Sequence, residues 1–173
     1  MDFQILGEES LKIKGKKVSI AVDPKEKIAK FDAEAIVATS KDYDQSRVSD
    51  YRVIVEGPGE YEVSGLKISG IKSDGSTIYE LDSEGANILV TKASALENIS
   101  TDKLDEYKIV VVNADSEINQ TVITAMEPRV VVLYGQLKKE GAKKLGSESS
   151  SVSSKISLSE DKLPEELEVM LLG

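Results

Sequence analysis

The 173-residue sequence contains no histidine and no cysteine. Histidine is the commonest metal ligand and the usual acid or base near neutral pH, so its absence removes every histidine-based zinc site, catalytic triad and proton shuttle. The absence of cysteine removes disulfides, thiolate ligands and thiol nucleophiles, and it fits a reducing cytoplasm. Tryptophan is also missing, and no apolar run approaches the roughly 18 residues of a membrane span. Residues 1–7 carry neither the basic nor the apolar segment of an export signal. A soluble, cytoplasmic protein without a membrane partner is expected.

Positive charge is scarce as well. Thirty-one acidic residues against 22 basic ones give a net charge of −9, which opposes attraction to phosphate backbones and anionic lipid surfaces. Nucleic acid is therefore not expected as a partner.

What is present is patterned for a folded core. Short β-branched, alternating segments at 3–6, 10–14, 17–22, 36–39, 52–55, 61–63, 66–71, 77–81 and 86–90 predict strands. Lys14-Gly15-Lys16, Ser64-Gly65 and Glu84-Gly85 read as tight hairpins between antiparallel strands. The pattern then changes. A short helix is expected at 101–107, capped by Ser100 or Thr101, ahead of a buried strand at 109–112. Asp115 or Ser116 is expected to cap a helix to Met126, ended by Pro128 before a second buried strand at 130–133.

Residues 136–145 form a lysine-rich helical stretch closed by Gly146, and the serine-rich 147–154 reads as a solvated loop. Strands at 155–158 and 167–172 end the chain. Antiparallel strands first and strand-helix-strand units later predict an α/β sandwich with helices on an outer face, in one domain over 1–173.

Four stretches carry a resemblance. Residues 1–17 include Gly7-Glu8-Glu9-Ser10 and lead to a strand ending at Val22-Asp23-Pro24; residues 35–46 end in Lys41-Asp42-Tyr43-Asp44-Gln45-Ser46. The third, 56–71, contains Gly57-Pro58-Gly59-Glu60-Tyr61-Glu62, and the fourth is Met126-Glu127-Pro128 with the strand behind it and Tyr134-Gly135 at its end. Together these resemble the small metallo-β-lactamase-fold hydrolases that open with a Gly-His-Ser-Ser turn, and the Gly-Pro-Gly-Glu-Tyr-Glu hairpin is the most specific match. The resemblance implies a shortened metallo-β-lactamase-like αβ/βα sandwich of mostly antiparallel mixed sheets with outer helices.

The same resemblance implies that the metal ligands are gone. Glu8 stands where the group has a histidine. Read without a gap, Lys41, Tyr43, Gln45 and Ser46 replace the two histidines, the aspartate and the last histidine of the His-x-His-x-Asp-His loop; a one-residue gap instead keeps Asp44 as the aspartate and sets Gln45 at the last histidine. Tyr134 or Gly135 holds a further histidine position. Where the group has a metal-bridging aspartate, Asn87-Ile88-Leu89-Val90-Thr91-Lys92-Ala93-Ser94 offers none.

A hydrolytic zinc needs about three protein ligands and an open position, so no zinc and no other cofactor is expected. An ammonium at Lys41 would repel a cation, and it could occupy the metal position and pair with Asp42, Asp44 or Asp23.

The expected function is that of a pseudo-hydrolase acting by binding or homo-oligomeric assembly. Two alternatives remain open: a residual hydrolase holding a hard cation on Asp23, Asp42 and Asp44, and a sensor holding a small anion in a cleft lined by Lys41, Tyr43 and Gln45. Ser40, Ser46 and Ser94 could act as nucleophiles only with a lysine as base.

Overall fold

The computed structural model describes residues 1–83, 85–147 and 151–173. The first half runs β1 (Asp2–Ile5), β2 (Leu11–Lys14), β3 (Ser19–Val22), β4 (Phe31–Asp32), β5 (Ala35–Ala38), β6 (Val48–Ser49), β7 (Val53–Glu56), β8 (Gly59–Val63), β9 (Leu66–Ser73), β10 (Ser76–Ser83) and β11 (Ala86–Lys92). The second half adds β12 (Ile109–Asn113), α1 (Gln120–Ala125), β13 (Val130–Tyr134), α2 (Lys138–Lys144), β14 (Val152–Ser153), β15 (Lys155–Ser157) and β16 (Glu168–Leu172).

Two sheets face each other. One has six strands in the order β15-β1-β2-β3-β5-β7, and the other has eight in the order β14-β16-β13-β12-β11-β10-β9-β8. Period-two alternation decides which way each residue points. On β12 and β13, Ile109, Val111, Val130 and Val132 enter the core between the sheets, whereas Val110, Val112, Val131 and Leu133 enter a second core under α1 and α2. Both strands are buried along their whole length, as expected of parallel strands covered on both faces.

The Ser64-Gly65 hairpin is present, with φ of +50° and +85°, and Asp74-Gly75 forms another with φ of +32° and +81°. Gly85 follows with φ +83°, while Glu84 of that expected hairpin lies outside the described residues.

Several expectations are corrected. Of the first-half strands expected to be antiparallel, β3, β5 and β7 are parallel, in the order β3-β5-β7; the chain crosses back through the small β4–β6 pair, which covers the outer face of the first sheet with Phe31, Ala33 and Val48 over Ala21 and Ile36. Both α-helices among the described residues lie over the second sheet. The expected helix at 101–107 is a single 3-10 turn, Thr101–Lys103, because Tyr107 is drawn into the core and its N–H bonds Met126 O at 3.1 Å. The helix expected from Asp115 starts later, capped by Asn119, since Asp115 instead accepts bonds from the N–H and hydroxyl of Ser94 at 3.0 and 2.7 Å. Within the serine-rich stretch, Val152–Ser153 is a strand parallel to β16 rather than loop, and Glu148, Ser149 and Ser150 lie outside the described residues.

Candidate functional site

The carboxyl ends of β3 and β5 in one sheet and of β11, β12 and β13 in the other meet at one edge of the sandwich. Two contacts close it. Thr77 N–H donates to Thr39 O at 2.8 Å across the sheets. The Tyr79 hydroxyl accepts the Gly57 N–H at 3.0 Å and lies 3.0 Å from Ala38 O and 3.3 Å from Val55 O. The Gly57-Pro58-Gly59-Glu60 turn acts as a backbone bend: Gly57 and Gly59 have φ of +86° and +142°. A Cβ on the facing Gly70 would lie 2.6 Å from Gly57 O, so that close approach requires glycine.

Asp23 follows β3 with φ +43° and is 0% exposed. Its Oδ1 accepts the Thr39 N–H at 2.8 Å and its Oδ2 the Thr39 hydroxyl. Ser10 secures the backbone on either side, donating to Asp23 O at 3.2 Å and accepting the Lys25 N–H at 2.9 Å. Burial raises the Asp23 carboxyl above its ordinary value, opposed by the Thr39 bonds and by the charges of Lys92 and Lys25.

The opposite sheet contributes a row. Strand register sets Lys92 beside Asn113 and Asn113 beside Tyr134. Alternation from Val90, Val111 and Val132 turns all three toward the space between the sheets. Lys92 Nζ donates to Ser40 Oγ at 3.0 Å. Asn113 Oδ1 and Tyr134 Oη are buried without a hydrogen-bond partner among the described residues. Burial lifts the Tyr134 phenol well above its ordinary range, with the charges of Asp23, Asp115 and Glu9 adding to it. Gly135, at φ +89°, leaves room for the Asn113 side chain, whose Oδ1 would be 2.2 Å from a Cβ there.

The residues singled out from sequence separate into two groups. Asp23 and Tyr134 are buried at this edge. Glu8, Lys41, Asp42, Gln45 and Ser46 are exposed, and Tyr43 and Asp44 are half-buried.

Asp42 Oδ2 pairs with Lys25 Nζ at 2.6 Å, which lowers its carboxyl from the ordinary value. Asp44 accepts the Ser46 N–H at 2.9 Å and pairs with Arg47 Nε at 3.2 Å. Tyr43 donates to Glu56 Oε2 at 3.2 Å, and Tyr51 donates to Gln45 Oε1 at 3.5 Å. Lys41 makes no ion pair among the described residues, so the pairing expected of it is corrected: Lys25 and Arg47 take the aspartates, and Lys92 is the lysine that reaches the buried edge. The Asp44 N–H bond to Pro24 O at 2.6 Å brings Lys25 to that loop.

The oxygen cluster of the alternative reading, Asp23, Asp42 and Asp44, does not assemble either. Among the described residues no group of three or more Asp and Glu side chains is placed to hold a metal ion. An open depression of about 550 Å3 lined by Lys41, Tyr43, Asp44, Gln45 and Glu56 lies beside the loop. Lys92, Thr39 and Asn113 were missed from sequence, although the inward alternation Ile88, Val90, Lys92 signals the first.

No protein family matches the chain by sequence, and no curated protein does. Solved structures match it by shape. A protein from Thermotoga maritima assigned to the zinc-dependent hydrolases of the metallo-β-lactamase superfamily is 16% identical, with a TM-score of 0.79 over 99% of this chain and 98% of that one. The chain has the metallo-β-lactamase fold. YhfI, a metallo-β-lactamase fold protein from Bacillus subtilis, is 9% identical with a TM-score of 0.59 over 98% and 95% of the two chains. An isothiocyanate hydrolase from Delia radicum gut bacteria is 12% identical with a TM-score of 0.58, covering 92% of this chain and all of the other.

A metallo-β-lactamase fold raises the question of whether this edge suits zinc. Its donors do not. Both Asp23 oxygens are held by Thr39, Lys92 is a donor with a positive charge, and an amide oxygen and a phenol make up the rest of the row. Zinc calls for about three imidazole, thiolate or free carboxylate ligands. No helix among the described residues is long and apolar enough to cross a membrane.

Proposed function

We propose that this metallo-β-lactamase-fold protein is a pseudo-hydrolase: a single domain that keeps the scaffold, does no zinc-dependent hydrolysis, and works in the cytoplasm through binding or assembly with copies of itself. The observation that carries this reading is the donor set at the edge, where Lys92, Asn113 and Tyr134 line up opposite a carboxylate already consumed by Thr39. The loop aspartates support it, because Lys25 and Arg47 already neutralise Asp42 and Asp44, which argues against a hard cation held there. Asp44 and Glu56 beside Lys41 argue against a small anion in the depression.

Assembly is supported by β7 and β8 standing as edge strands and by Val152 and Leu167 being 42% and 39% exposed. Elemental analysis of the native protein, run beside light scattering and turnover of ester, phosphodiester and β-lactam substrates, tests it. Metal-free protein, no turnover and a mass above that of one chain are expected; one equivalent of metal with turnover lost in Asp42→Asn overturns the reading.

A further inference from the structure

The row on the second sheet contains one cation, Lys92, which crosses to the first sheet to donate to Ser40 Oγ at 3.0 Å between residues 52 apart in the chain. Facing this edge is Asp23, fully buried, whose carboxylate is hydrogen-bonded to Thr39. A buried carboxylate with hydrogen bonds and no counter-charge is strongly disfavoured. Two cations act on Asp23, and Lys25 is already committed, 2.6 Å from Asp42 and 3.6 Å from Glu9. Lys92 makes no ion pair among the described residues: its Nζ donates there to the neutral hydroxyl of Ser40, and its charge reaches Asp42 only at longer range.

We propose that Lys92 is the built-in cation of this edge: its ammonium supplies from within the chain the positive charge that a bound metal ion would otherwise bring, offsetting the buried Asp23 and repelling divalent cations. The assignment rests on the pseudo-hydrolase reading and gives it a residue. Lys92 is a positioning residue, acting on Asp23 and, through Ser40, on the start of the 40–46 loop. The other titratable groups around the edge are Lys25, Tyr79, Tyr134, Glu9, Asp115 and Asp42, and among these Lys25 alone shares the sign of Lys92.

The test compares Lys92→Met, Lys92→Arg, Ser40→Ala and Lys92→Met/Asp23→Asn in the full chain. Carbon-detected NMR follows the Asp23 carboxyl, and calorimetry with manganese ion alone follows cation uptake. Lys92→Met is expected to raise the Asp23 titration midpoint by at least one pH unit; Lys92→Arg and Ser40→Ala, which keep a cation, are expected to leave it within a few tenths. Lys92→Met should also bind manganese at least tenfold more tightly than wild type. Should Lys92→Met not fold, the double variant with Asp23→Asn is expected to fold again.

An unmoved Asp23 midpoint, unchanged manganese binding, or a double variant no more stable than the single one overturns the assignment. Metal found in the native wild-type protein defeats the pseudo-hydrolase reading whatever Lys92 does. Metal-free wild type with an unmoved Asp23 defeats only the role of Lys92.

Discussion

Thr39 holds both oxygens of the Asp23 carboxylate, with its N–H on Oδ1 at 2.8 Å and its hydroxyl on Oδ2. Removing that hydroxyl leaves a buried, charge-bearing oxygen unsatisfied, which costs about 1–3 kcal/mol. Thr39→Val is therefore expected to lose that amount in urea unfolding and Thr39→Ser most of a unit less. A larger loss in Thr39→Ser than in Thr39→Val would show that the methyl group, not the hydroxyl, is what matters.

Asp23 also sets a pH dependence. Its carboxyl is raised in the folded protein, chiefly by burial, so the folded state favours the protonated form relative to the unfolded chain. Stability from this group is present below about pH 4, the unfolded carboxyl value, and is lost as pH rises through the raised folded value. Asp23→Asn does not titrate, so its stability relative to wild type should improve between pH 4 and pH 7. A difference that stays constant over that interval would contradict the buried-carboxylate account.

Tyr79 ties β10 to the Gly57 N–H and to the ends of β5 and β7. Burial pushes its phenol up to about 12, so the stability it contributes is present below the ordinary phenol value near pH 10 and fades through pH 12. Ultraviolet titration at alkaline pH should show a component near 12 that is absent in Tyr79→Phe. The same variant should cost about 1–2 kcal/mol, since a hydroxyl shared by several buried backbone groups is lost.

Two glycines with nearly the same φ should respond differently. Gly65 and Gly135 have φ of +85° and +89°, but an added Cβ meets nothing within 4 Å at Gly65 and lies 2.2 Å from Asn113 Oδ1 at Gly135. Gly65→Ala is expected to cost only the left-handed backbone penalty of about 1–2 kcal/mol. Gly135→Ala should cost clearly more in parallel thermal melts, and equal losses would mean that Asn113 moves aside freely.

The ion pair between Lys25 and Asp42 looks prominent at 2.6 Å, yet the Asp42 side chain is 84% exposed. Exposed pairs contribute about 0–1 kcal/mol. Asp42→Asn is expected to change stability by less than 1 kcal/mol, and that change should shrink further in 1 M salt.

Strands were legible in the sequence wherever one residue in two is apolar and inward, as at Ile88 and Val90, or where the apolar run is continuous, as at 130–133. Contacts between distant segments were not. Asp115 reads as a helix cap, but an N-cap is also a free acceptor, and Ser94 arrives from 21 residues away to claim it. Lys41 stands next to Asp42 in sequence, whereas the lysine that meets Asp42 comes from the segment after β3. The two-residue β14 exists only because β16 lies alongside it; serine-rich sequence carries no signal for a strand that a partner creates.

The pairing of β1 with β15 joins Asp2 to Ser157 and Phe3 to Ile156. During synthesis, β1 must therefore wait for β15, with Asp2 and Ser157 lying 155 residues apart, before its outer edge is sealed. Loop closure over such separations slows folding toward milliseconds to seconds for β-rich topologies, and a ribosome-bound chain would present that edge to other nascent copies throughout the interval. The six-stranded sheet is thus the half of the sandwich whose completion a chaperone would have most reason to guard.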